Sequence, residues 1–169
     1  AITFLGIQMF RIPLPAAVGT PFLHFGHKFV VMGLLLQGGK RGAVSGTLGL
    51  TIFDMLNGYM QDAPKTFVET ALKCLIVGAL FVMLKKKTAG DKKKEYGAAM
   101  ICAVVYGCIN VIMEFIMGTI SMMIMGSGFA AAAVGAFTSL PATVINAVFM
   151  VIAIAVLYQP VKKIYVRMA

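Results

Sequence analysis

The sequence predicts an all-α membrane protein: a six-transmembrane-helix bundle with both termini cytoplasmic and a long external loop after the first helix. Three observations lead there. Hydrophobic residues make up 60% of the chain and charged residues only 12%, against roughly 45–50% and about 25% in ordinary soluble domains, so the solvent of this chain is lipid. About 20 apolar residues cross a bilayer, so 169 residues hold about six such spans and leave no room for a soluble domain. Of the 15 lysines and arginines, 11 gather between and after the apolar runs, where they set orientation. The whole of 1–169 therefore reads as a single integral membrane domain.

The helices follow from the punctuation. The first, about 1–10, starts inside an apolar run and reads as truncated; the Pro- and Gly-rich stretch RIPLPAAVGTPFLHFG follows as the external loop. A second helix over 27–38 stops at Gly38-Gly39-Lys40-Arg41, and a third over 42–57 stops at the Asn57-Gly58 turn signal. Pro64 suits the first turn of a fourth helix over 64–84. The loop KKKTAGDKKK separates it from a fifth over 95–118, and a sixth over 140–159 begins near Pro141 with Ser139 as its N-cap.

The apolar stretch 119–137 decides the topology. If it does not cross, the Lys40/Arg41 turn, the KKKTAGDKKK loop and the Lys162/Lys163/Arg167 tail share one face and carry 11 of the 15 basic residues. A seventh span would move the tail to the other face. The positive-inside rule favours six, with Gly126-Ser127-Gly128 as a break and 119–137 as a helix extension plus an outward or re-entrant loop. The net charge of +9 is then an orientation signal, and no nucleic-acid partner is needed to account for it.

Polar residues inside the spans carry the functional information. Glu69 and Lys73 lie four residues apart in the apolar run of the fourth helix, Glu69 about 8 Å from its outer start. Asp54 lies near the outer end of the third helix, Asn110 and Glu114 near the outer end of the fifth, and Asn146 about 8 Å into the sixth. Ionisable groups at mid-bilayer cost about 2.5–3.5 kcal/mol each on insertion scales, so they face a cavity or one another. A shared level on four helices predicts a polar pocket open to the outside, with Glu69 and Lys73 as two of its walls. The bland reading makes Glu69 and Lys73 a self-neutralising i, i+4 pair, Asp54 a helix-end residue near headgroups, and Asn110 and Asn146 interhelical glue.

Other chemistries find no footing. Cys74, Cys102 and Cys108 are odd in number and lack metal spacing; His24 and His27 have no third ligand nearby, so neither metal nor cofactor is expected. No phosphate loop, HExxH or GxSxG motif is present, so the chain reads as a non-enzyme. Gly42, Ser45, Gly46 and Gly49 form a small-residue face on the third helix where another helix can approach, within the bundle or from a partner.

HFGHKF at 24–29, the Gly39-Lys40-Arg41 turn, DMLNG at 54–58 and TFVETALK at 66–73 together resemble the substrate-binding S component of energy-coupling factor (ECF) vitamin transporters, nearest the riboflavin, hydroxymethylpyrimidine and pyridoxine types. The likeness covers about 21–84 closely and the remainder by topology. It implies the cell membrane of a prokaryote, a membrane scaffold subunit, two cytoplasmic ATPases, and a vitamin-like small molecule held by the outer ends of helices 4 to 6 under the first loop. The candidate binding residues become His24, His27, Lys28, Asp54, Glu69, Lys73, Asn110, Glu114 and Asn146, with Gly42, Gly46, Gly49 and, by resemblance, Ala1 facing the scaffold. His27 stands where riboflavin-type relatives carry an acid, and no Trp is present to stack a large ring. A pyridoxine- or hydroxymethylpyrimidine-like ligand is therefore expected ahead of riboflavin or pantothenate.

Overall fold

The computed structural model describes residues 2–9, 11–13 and 22–168. Six helices follow one another in these residues: α1 (Ile2–Gln8), α2 (Gly26–Gln37), α3 (Gly39–Leu56), α4 (Ala63–Lys86), α5 (Lys92–Ile124) and α6 (Phe129–Met168). Between α1 and α2 a two-stranded antiparallel ribbon, β1 (Arg11–Pro13) and β2 (Phe22–His24), pairs Arg11 with His24, an element the sequence reading left as loop. By length and hydropathy α4, α5 and α6 can each cross a membrane.

Local chemistry fixes the ends. Gly38, at φ 88°, takes the left-handed conformation that lets α2 turn straight into α3, so α3 begins at Gly39 rather than at 42. Asp91 caps α5 by accepting hydrogen bonds from the backbone N–H groups of Lys93 and Lys94, and Lys85 and Lys86 close the last turn of α4, where the helix dipole favours cations. Gly126, at φ 96°, turns the chain between α5 and α6.

The stretch 119–137 forms no separate helix: it ends α5, turns and begins α6, and the sixth helix is longer than expected. It begins at Phe129 and runs through Pro141, so Ser139 is not its N-cap. Instead the Ser139 hydroxyl donates to the Ala136 carbonyl and Thr138 to that of Gly135. Ser and Thr hydroxyls help a membrane helix tolerate a proline, because a broken helix would strand more backbone groups in lipid than the proline does.

The bundle is inverted relative to a soluble protein. On α4, Leu75 is 64% exposed and Lys73 1%. Apolar side chains face outward toward lipid, whereas the interior combines Leu34, Val77, Cys102, Tyr106 and Met150 with buried Glu69, Lys73 and Asn110. At one end Glu95 joins three helices: it pairs with Lys162 and, at 3.6 Å, with Lys85, and accepts from the Tyr158 hydroxyl at 3.3 Å. That gathers the end of α4, the start of α5 and the last turns of α6 into one basic end. The charged cavity described next lies toward the other.

Candidate functional site

The spacing of three residues on α4 builds the site. Lys65, Glu69 and Lys73 recur every four residues and so stand on one helix face, opposite Asn110 and Glu114 on one face of α5. Between them runs a ladder of alternating charge. Glu114 meets Lys65 at 3.3 Å, Lys65 approaches Glu69 at 3.8 Å, Glu69 pairs with Lys73 at 3.3 Å, and Lys73 donates to the Asn110 carbonyl oxygen at 2.8 Å. Burial deepens along it, from a quarter-exposed Glu114 to a fully enclosed Lys73.

The ladder forms one wall of a cavity of about 570 Å³. Asp54 and Phe53 come from the end of α3, Tyr59 and Asp62 from the turn before α4, Gly118, Ser121 and Met122 from α5, and Ala136 and Ser139 from α6. Two wall atoms lack a hydrogen-bond partner although buried: Glu69 Oε1 and the Thr70 hydroxyl. Beneath, the His27 Nδ1 and the hydroxyl of the wholly buried Tyr106 are 3.3 Å apart, and Asn146 meets His27 and Asn110 around a void of about 10 Å³.

Six of the expected residues, His27, Asp54, Glu69, Lys73, Asn110 and Glu114, therefore line one cavity, with Asn146 directly below it. Lys28 does not join them. It is turned to a separate, mostly apolar cavity between α2 and α6, where its Nζ lies 4.6 Å from the centre of the Phe25 ring. Consecutive helical residues differ by about 100° in direction, and here that difference turns Lys28 away from the cavity His27 lines. The His24 side chain and Ala1 lie outside the described residues.

The glycine face meets helices of the bundle itself. A Cβ on Gly42 would come within 2.5 Å of the Leu34 backbone nitrogen, one on Gly46 within 2.7 Å of Val30, and one on Gly49 within 2.7 Å of the Thr3 Cβ. All three glycines are buried against α1 and α2, the within-bundle packing that a small-residue face allows. Sequence reasoning missed Lys65, Asp62, Thr70 and Tyr106. Lys65 carried a signal, since it continues the four-residue spacing of Glu69 and Lys73.

A family model for the S component of ECF-type riboflavin transporters matches residues 1–163. The chain belongs to this family. As an S component it is a multi-pass membrane protein that binds substrate for a transporter and performs no catalysis itself. The family implies a vitamin-type substrate, a scaffold subunit and ATPase partners. No curated protein and no solved structure matches this chain.

Proposed function

We propose that this S component captures a small, water-soluble vitamin or precursor with a single polar ring, of the pyridoxine or hydroxymethylpyrimidine kind, from outside the cell membrane, and delivers it to a membrane scaffold and two cytoplasmic ATPases for ATP-driven uptake. The observation that carries this reading is a charged cavity, of a size that suits small ligands, enclosed in an apolar bundle. Below Lys73 the path is closed by Val77, Phe81, Cys102, Met150 and Ile154, each under 5% exposed. That closure speaks against a stand-alone channel, which needs a polar route through. Of the cavity's aromatic rings, Phe53 and Tyr59 stack on each other, 6.4 Å apart and 18° from parallel, so they offer no slot for a three-ring system.

Riboflavin is the second reading, favoured by the description of the matching family. Isothermal titration of the purified protein separates the two. Pyridoxine or hydroxymethylpyrimidine is expected to bind at least about tenfold tighter than riboflavin or pantothenate, a difference of about 1.4 kcal/mol. Tighter riboflavin binding overturns the ligand reading, and uptake that continues without co-purifying ATPases overturns the transporter reading.

The basic end is proposed to be cytoplasmic, together with both termini. The ion cluster of Glu95 with Lys85 and Lys162 supports a C-terminus on the same side as the α4–α5 loop, and the concentration of lysines there supports the cytoplasmic side. Cysteines introduced in the 88–91 loop and after residue 167 should both be labelled only from the cytoplasmic side; labelling from opposite sides would refute this.

A further inference from the structure

We propose that the cavity selects a ligand carrying a protonated amine and rejects its carboxylate counterpart, with Glu69 Oε1 receiving the ammonium group. This rests on the single-ring reading above and adds to it the charge of the ligand.

Four carboxylates, Asp54, Asp62, Glu69 and Glu114, line the cavity with two lysines, Lys65 and Lys73. Ionised, they leave an excess of two negative charges, and protonation of His27 would still leave one. Both lysines are also engaged already. Lys73 donates to Glu69 Oε2 and Asn110 Oδ1, and Lys65 to Glu114. An entering carboxylate would meet excess anions and cations held by other partners, in a site where low dielectric magnifies each charge.

A buried atom marks where the amine goes. Glu69 is 5% exposed, yet its Oε1 has no hydrogen bond, Lys65 Nζ standing off at 3.8 Å. A carboxylate oxygen only accepts, so the missing partner is a donor, and a charged donor forms the stronger bond. The adjacent Thr70 hydroxyl, 1% exposed and also unpartnered, can donate or accept and gives the ring a second point of attachment.

Three compounds with one pyridine ring test this: pyridoxamine, pyridoxine and 4-pyridoxate, which bear an amine, an alcohol and a carboxylate at the same carbon. In titrations of the full chain the amine is expected to bind at least about tenfold tighter than the alcohol, and the carboxylate at least about a hundredfold weaker than the amine. Glu69→Gln should bring the amine-to-alcohol ratio close to one. Asp54→Asn, which removes one excess charge without touching the ladder, should lower the ratio by a smaller factor. If the alcohol binds and the amine gains nothing, or if neither variant moves the ratio, the charge inference is overturned while the single-ring reading stands. If none of the three binds and riboflavin does, both are overturned.

Discussion

Replacing Lys73 with Met is expected to weaken ligand binding ten- to a hundredfold and to lower the thermal stability of the purified protein at the same time. Lys73 is 1% exposed and holds two helices together, through Glu69 on its own helix and Asn110 on α5. Removing one partner of a buried pair strands the other, at a cost of roughly 3–5 kcal/mol. Binding falls because Lys73 fixes the Glu69 carboxylate that faces the cavity; a hydrogen bond to a charged group is worth roughly 1.5–3 kcal/mol. In a purely self-neutralising pair, Glu69→Gln/Lys73→Met would restore both properties. Here Asn110 loses its donor in the double variant, and Lys65 loses a neighbouring anion. The double variant should regain part of the stability and none of the affinity. Melting curves and titrations of both single variants and the double decide this, and a double variant that melts and binds like the parent would reduce the ladder to a structural pair.

The charged cavity was legible in the sequence because lipid makes every buried charge conspicuous. Glu69, Lys73, Asn110 and Glu114 stood out against apolar neighbours, and helical rise alone set them at one level. Rotation was less legible than depth. Lys28 was named with His27 as part of HFGHKF, whereas on the folded helix it lines the separate cavity between α2 and α6. Tyr106 carries no charge, so nothing in an apolar run separates it from a core aromatic; its pairing with His27 across 79 residues exists only after folding. The start of α6 was missed because proline is a breaker in water, where the next backbone group can be solvated. In lipid it cannot, and the helix continues through Pro141.

Gly42→Ala should destabilise the bundle severely, whereas Gly97→Ala should leave it unchanged or slightly more stable. Both glycines lie inside helices, where alanine has the higher intrinsic propensity by about 0.8–1 kcal/mol, so helix formation alone predicts the same gain for both. The surroundings differ. A Cβ at position 97 meets nothing within 4 Å, whereas at position 42 it falls 2.5 Å from the Leu34 nitrogen and 2.7 Å from the Gly33 carbonyl carbon. Those are backbone atoms of the antiparallel neighbour α2, and they cannot step aside as a flexible side chain can. Overpacking typically costs 1–3 kcal/mol and more where the backbone must move. Separating α2 from α3 would also displace the end of α3, which carries Phe53 and Asp54 into the cavity wall. The yield of monodisperse protein, its melting temperature and its ligand affinity are therefore expected to fall together in Gly42→Ala. A variant that folds and binds like the parent but fails in ATP-driven uptake would show that the stripe of Gly42, Gly46 and Gly49 serves the scaffold after all, since a contact needed only in the assembled transporter leaves the isolated subunit intact.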